Sequence, residues 1–328
     1  MEKCKKISLF LSGNTSIIII CIAIFTFFFP STFKWVRGNT QLFILFMIMF
    51  TMGLTMTIQE FKKLAKNPTD VCIGAVAHYT IMPLLAFSVT KIFHLPDPIA
   101  LGLILVGCCP SGLASDIMAF LCHGDVPFAV GTTTISTLFS PFLTPILVLY
   151  LAGAIVNIPA QAMFITIIET VIFPVILGLI INYFYQHNSK FHAVQKMMPG
   201  ISVIGFAFIV GGVVALQGSN FFVSGLIILG AVILHNCGGY ALGYIVGHAV
   251  HMNTAKKRTI TLEVGMQNAG LATGLAMAHF AAIPEAALVA AVACVWHSIS
   301  GTLLADYFAK KDAKSTVDNT IIAGQISK

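Results

Sequence analysis

A chain of 328 residues that is 57% hydrophobic and only 9% charged does not have the composition of a water-soluble domain, in which about a quarter of the residues are charged. The net charge of +6 would suit nucleic acid or another polyanion only if the basic residues gathered on one element. They lie instead in the connections between apolar runs, which excludes nucleic acid as a partner. The eight cysteines, at positions 4, 21, 72, 108, 109, 122, 237 and 294, show no C-x-x-C spacing, so they read as small packing residues rather than a disulfide framework or metal site.

In chain order, Lys3, Lys5 and Lys6 precede an apolar run from Ser16 to Pro30. This is the order of a secretory signal, but no small-x-small cleavage pattern follows, and the run reads as a first membrane helix. Further runs of spanning length, ~20 residues each, begin near Gln41, Val71, Pro98, Val126, Ala160, Gly200, Phe222, Thr259 and Pro284. The expectation is an all-α membrane protein of ten transmembrane helices. Turn residues fill the gaps at Pro68, His94 to Pro98, Gly124-Asp125, Pro159, His187-Asn188-Ser189, Gly218-Ser219-Asn220 and Met252-Asn253-Thr254. The segment 310–328 is polar and poor in aromatics, which predicts a disordered cytoplasmic tail.

Charge tests this count independently, because lysine and arginine concentrate on cytoplasmic flanks. With the N-terminus inside, fifteen of the eighteen basic residues fall on the cytoplasmic side, and only Lys34, Arg37 and Lys91 fall outside. Both termini are therefore expected in the cytoplasm.

An even count invites a search for halves. Ser111-Gly112-Leu113-Ala114-Ser115-Asp116 in the fourth helix recurs as Ala269-Gly270-Leu271-Ala272-Thr273-Gly274 in the ninth, 158 residues on. Phe29-Pro30 and Phe173-Pro174 echo each other in the first and sixth. Five helices is an odd number, so the second half enters the membrane upside down. That predicts two inverted repeats, about 10–152 and 158–309.

Both echoing helices are interrupted by polar residues. The ninth carries Glu263, Gln267 and Asn268 among Gly265, Gly270 and Gly274, and Glu263 and Gln267 would share a face if the helix ran straight through. The fourth carries Pro110, which removes a backbone donor and should break it. Paired broken helices in inverted halves point to a transporter site near the midplane, with free carbonyls for a cation and free amides for an anion. A polar helix-packing seam is the structural alternative. Thr133, Ser136, Thr137 and Ser140 in the fifth helix have the spacing to complete an oxygen cage, or to bond between helices without any ion. His94, His123, His187, His192 and His251 lie at helix ends and read as solvated, whereas His78, His235 and His297 are intramembrane and either packed or cavity-lining. Glu169 is a further intramembrane acid without an obvious partner.

The stretches Glu263 to Asn268, Gly107-Cys108-Cys109-Pro110-Ser111-Gly112 and Val295-Trp296-His297-Ser298-Ile299-Ser300-Gly301 resemble the bile acid:sodium symporter family, particularly its bacterial members. The resemblance runs from about residue 20 to 310. It implies ten helices, with helices 4 and 9 broken and crossing, a panel of helices 1, 2, 6 and 7, and a core of helices 3–5 and 8–10. It places a first sodium site at Ser115, Asp116, Thr133 and Glu263, and a second at His78, Glu263, Val264, Met266 and Gln267. Gly112, Leu113, Asn268, His297 and Ser298 fall near the substrate cavity. Departures from the family pattern are Asp116 for a usual Asn, Ala129 for a hydroxyl, Leu113 for Thr and Ser298 for Asn, and the position of His78 is Gln in some relatives.

The expected function is sodium-coupled symport of an organic anion, either bile acid-like or a small carboxylate such as a pantothenate-related acid, across a bacterial cytoplasmic membrane. Sodium is the coupling ion, the bilayer and the anion are the other partners, and a monomer is the simplest assembly. The alternatives are a proton-coupled carboxylate transporter and a non-transporting receptor for such a ligand. An enzyme is disfavoured, since no nucleophile with a base and no metal triad is present.

Overall fold

The computed structural model describes the backbone of residues 2–56 and 68–326. The cytoplasmic placement expected for Lys62, Lys63, Lys66 and Lys328 lies outside the described residues. The helices are α1 (Glu2–Gly13), α2 (Thr15–Phe28), α3 (Asn39–Thr55), α4 (Pro68–Ile92), α5 (Asp97–Gly107), α6 (Leu113–Leu121), α7 (Val126–Ala152), α8 (Ala160–Ile167), α9 (Phe173–Tyr185), α10 (Ser189–Gln195), α11 (Met198–Ala249), α12 (Thr254–Gly265), α13 (Ala269–His279) and α14 (Pro284–Ile326). Six helical stretches are long and apolar enough to cross a membrane: Pro68–Ile92, Val126–Ala152, Ala160–Tyr185, Ser189–Leu216, Ser224–Ala249 and Pro284–Lys311. Ile17–Phe28, Asn39–Thr55 and Asp97–Gly107 are shorter apolar helices.

Helix starts are set by capping chemistry. Asp125 accepts from Phe128 N at 3.0 Å, Asn253 from Lys256 N at 2.9 Å and Asn268 from Leu271 N at 3.0 Å, each satisfying an amide that has no partner inside its helix. Proline opens α4 and α14 and stands in the first turn of α5, α7 and α11, where its missing N–H costs nothing.

The structure differs from the sequence reading in several places. The N-terminal lysines ride on a separate helix, α1, with only Asn14 between it and α2. Helical backbone runs through the turn expected at Gly218-Ser219-Asn220, within α11, with the apolar stretches Ser189–Leu216 and Ser224–Ala249 on either side of it. The helix that opens at Pro284 runs to Ile326. Between α8 and α9 the chain makes one wide π-turn, Ile168–Ile172, just before Pro174, and carries Glu169 on its exposed side.

Packing divides the helices into two groups joined by α11. The first half of α11 lies against α1 to α3, with Gly205 on Ile48 and Gly212 on Val36. Its second half lies against α4 and α12, with Gly238 on Leu85 and Gly243 on Ile260. In the first group α3 and α9 approach backbone to backbone: a Cβ on Gly53 would stand 2.2 Å from the Val175 carbonyl, and one on Gly178 2.6 Å from that of Phe50. Since lipid tails are as apolar as leucine, such close van der Waals contact holds helices together where water exclusion does not. In the second group α5 is buried from Ile99 to Gly107, an apolar helix enclosed on all sides by α4, α7 and α14.

Candidate cation and substrate site

Two helical paths are interrupted side by side. Residues 108–112 separate α5 from α6, and Met266, Gln267 and Asn268 separate α12 from α13. The two non-helical stretches meet as an antiparallel bridge between Ser111 and Gln267, with Gly112 N donating to Met266 O at 3.1 Å and Asn268 N to Pro110 O at 2.8 Å. Glycine is needed at 112, because a Cβ there would lie 2.7 Å from the Gln267 carbonyl. Side chains satisfy further backbone groups: Asn236 Nδ2 donates to Gly265 O at 2.7 Å and Thr144 Oγ1 to Cys108 O at 2.8 Å. Irregular backbone in an apolar protein survives only when it is partnered inside the protein in this way. Because α12 stops at Gly265, Glu263 and Gln267 do not share a helical face; Gln267 turns back and donates Nε2 to Val264 O at 2.9 Å.

Glu263, the last acid before the second interruption, is fully buried. Ser111 Oγ and Thr133 Oγ1 each donate to its Oε2 at 2.8 Å. Thr133 has Asp116 Oδ1 as its other acceptor, at 3.2 Å, so one hydroxyl joins both carboxylates. Ser115, whose hydroxyl is also within reach of the Glu263 carboxylate, has Gly112 O as an acceptor at 2.6 Å. Glu263 Oε1 is left buried without a hydrogen-bond partner. A carboxylate in this setting is costly unless a cation completes it, and the nearby oxygens are hard ligands suited to an alkali ion. The first expected set, Ser115, Asp116, Thr133 and Glu263, is therefore brought together. Ala129, fully buried on α7, offers no oxygen.

The second expected set is not assembled as an open cage. His78 Nδ1 stands 2.9 Å from Glu263 O and its Nε2 2.9 Å from Cys109 O, while Val264 packs its side chain among apolar residues that include Met82 and Ile260. Of the hydroxyls in the fifth predicted span, Thr133 reaches the Asp116 and Glu263 carboxylates. Ser136 Oγ accepts from Ser111 N at 3.2 Å, and Ser140 bonds back to its own helix through Thr137 O.

Beside this cluster lies a cavity of about 290 Å³, bounded by the start of α2, the end of α3, the start of α11 and by α6, α13 and α14. Gly112, Leu113, Asp116, Met266, Gln267, Asn268, His297 and Ser298 all line it, whereas Ser115, Thr133 and Glu263 lie behind its wall. His297 is buried, with neither ring nitrogen in a well-formed hydrogen bond. The opposite wall brings Thr51, Thr55 and Ser202, which the sequence reading did not single out. It also passed over Asn236, which supports Gly265 and is itself held by Ser300 at 2.8 Å. The signal available was an amide next to His235 in an otherwise apolar run. The five helix-end histidines are exposed, and His94, His123 and His251 have positive φ. Arg258, expected only as a cytoplasmic flank, is buried, donates to Cys122 O at 2.9 Å and stacks over Phe308.

Interrupted apolar helices around a buried, uncompensated carboxylate and an adjoining cavity define an integral membrane transporter of the cation-coupled kind. The profile of the sodium bile acid symporter family matches residues 42–224. An uncharacterized sodium-dependent transporter of Bacillus subtilis, YocS, is 43% identical over 96% of each chain. A probable sodium/metabolite cotransporter of Arabidopsis thaliana chloroplasts is 35% identical over 88% of this chain and 71% of its own. The human ileal sodium/bile acid cotransporter is 29% identical over 77% and 73%. The chain belongs to the sodium bile acid symporter family, whose members are sodium-coupled transporters and not enzymes.

Proposed function

We propose that this chain is a secondary active symporter that moves a small organic anion together with sodium by alternating access. The observation that carries the reading is Glu263, buried with one oxygen unpartnered where the two interrupted helices meet beside the cavity. Ser115, Asp116, Thr133 and Glu263 hold sodium. The N-terminal ends of α6 and α13, at Gly112, Leu113 and Asn268, border the cavity and offer amide donors to a carboxylate, with His297 and Ser298 opposite. Among the described residues no lysine or arginine lines the cavity, which favours recognition of the anion by dipoles, with its charge balanced by the bound cation. A volume of about 290 Å³ is at the small end for ligand pockets and favours a small carboxylate, of the size of a pantothenate-related acid, over a bile acid.

The architecture proposed is ten spans in two inverted repeats. Helix starts at Thr15 and Phe173, Asn39 and Met198, Asp97 and Thr254, Leu113 and Ala269, and Val126 and Pro284 recur at separations of 156 to 159 residues, which supports it. His94 and His251, 157 apart, repeat a positive φ just before the paired starts of α5 and α12. The panel (helices 1, 2, 6 and 7) and the core (helices 3–5 and 8–10) correspond to the two packing groups on either half of α11. The basic flanks support a topology with both termini in the cytoplasm of a bacterial cell. Thr15, Thr55, Met56 and Met198 then lie at the cytoplasmic mouth of the cavity.

Purified protein in proteoliposomes with an imposed inward sodium gradient tests this, offered a bile acid, a pantothenate-related acid and short keto acids. Accumulation that collapses with the gradient is expected. Binding that ignores the gradient would instead mark a receptor.

A further inference from the structure

We infer that the hydrogen bond between Thr166 and His279 is the outer latch of the transport cycle: it holds two spans together while the cavity is open to the cytoplasm, and it must break before the cavity can face outward. This latch belongs to the alternating access proposed above and rests on that reading. Thr166 Oγ1 and His279 Nε2 stand 3.0 Å apart, and both residues are half-buried. Thr166 is on α8, and His279 is in the last turn of α13, the helix that Asn268 caps at the cavity wall. Eleven residues at a rise of ~1.5 Å put His279 about 16 Å beyond that wall. In the proposed topology this is the outer end of both spans, opposite the mouth formed by Thr15, Thr55, Met56 and Met198.

The span that carries Thr166 changes partners along its length. Its inner half, α9, lies backbone to backbone on α3, whereas its outer half, α8, lies against α7 and α13. The wide turn Ile168–Ile172 stands between the halves, and such turns are places where helices bend. Around the Thr166–His279 pair the contact is apolar: Met163 and Ile167 on α8 are fully buried in the same cluster as Leu271, Leu275 and Phe280. Farther along, α13 turns glycines toward the first group, Gly270 on Phe206 and Gly274 on Leu45. Contacts of this kind define a position weakly, because lipid tails are as apolar as the side chains they would replace. A hydrogen bond is directional, and these two partners are exposed enough for water to take over when it breaks. Its net worth is then that of an ordinary exchange with water, which amounts to a roughly 2- to 10-fold bias toward the closed outer side. That is enough to favour one state and small enough to be overcome in each turnover.

Met163→Cys places a thiol in this outer seal of the full-length protein. Its labelling by a membrane-impermeant maleimide at the outer face of right-side-out vesicles, taken against the same protein without the added thiol, measures how often the seal opens. With the outward-open state in the minority, the rate follows its population. Thr166→Val and His279→Leu are each expected to raise the rate roughly 2- to 10-fold, and the two together no further than the faster of them, since both remove one bond. Thr166→Ser, which keeps the hydroxyl, is expected to leave the rate unchanged. Equal rates in all variants, effects that multiply in the double variant, or a rise with Thr166→Ser as large as with Thr166→Val would each overturn the latch and leave the symport reading intact. The labelling needs neither sodium nor substrate. Absence of sodium-driven uptake by the unsubstituted protein would remove the symport reading, and with it the place of the latch in a cycle. The comparison of Thr166→Val with Thr166→Ser decides the matter even if His279→Leu does not fold.

Discussion

Replacing Glu263 by Gln tests the centre of the site with the smallest change of shape. The amide oxygen can still accept from Ser111 and Thr133, so both 2.8 Å contacts have a partner, and the new NH₂ falls where Oε1 has none. What is lost is charge. Two unit charges about 4 Å apart at an effective dielectric of ~20 attract by about 4 kcal/mol, which corresponds to about a thousandfold in sodium affinity. A site working at millimolar sodium would then be empty at any usable concentration. The variant also no longer buries an uncompensated charge in the absence of the ion. In sodium-free buffer it should be at least as heat-stable as the wild type, and adding sodium should stabilise the wild type only. Thermal unfolding with and without sodium, together with sodium-driven uptake, reads both effects. Uptake by Glu263→Gln that sodium still stimulates to within a few-fold of wild type would refute the role given to Glu263.

Asp116→Asn should weaken sodium binding without abolishing it, because Asp116 reaches the cluster through the hydroxyl that Thr133 shares with Glu263; an unchanged sodium dependence of uptake would remove Asp116 from the site. Asn268→Ala should lower substrate affinity and also cost about 1 kcal/mol of stability from loss of the cap on α13. Asn268→Asp keeps the cap but sets a charge against the anion, so recovery of stability without recovery of uptake is the expected split. Gly112→Ala should abolish uptake at any sodium concentration, since its methyl meets the Gln267 backbone at 2.7 Å. Gly230→Ala, with open space around it, should be neutral or slightly stabilising in the same uptake and unfolding assays. Removing Asn236 as Asn236→Leu leaves the Gly265 carbonyl without its side-chain partner and should lower the unfolding temperature in proportion to about 1–3 kcal/mol.

What was legible in the sequence was whatever violates the membrane's demand for apolar, hydrogen-bonded helix. Pro110, Glu263 and Asn268 stand out against their surroundings, and they mark the interruptions and the cap on α13. The helix starts near Ala160 and Pro284 were readable for the opposite reason, because proline at or just before them punctuates long apolar runs. What stayed hidden depends on which way a side chain turns. Ser111 was visible as part of a polar hexad, but nothing in its spacing says that its hydroxyl crosses to Glu263. Thr133, Ser136, Thr137 and Ser140 look equivalent in sequence, yet a hydroxyl on a helix can bond back to its own backbone, and Ser140 does. Arg258 sits in a basic run that reads as topology, and only the fold turns it inward over Phe308. Glu263 and Gln267 would share a face only on an unbroken helix, and helical spacing has no meaning across the break after Gly265.

The bridge between Ser111 and Gln267 imposes an order on synthesis. Gly112 N and Pro110 O find their partners on Met266 and Asn268, which leave the ribosome more than 150 residues later. Left unpaired in an apolar interior, each of those groups would cost several kcal/mol. The first half of the chain cannot settle into its final form when it enters the membrane. It must wait, partly hydrated or held by the insertion machinery, until the second half arrives to close the bridge, so each half of the chain serves as the folding template of the other.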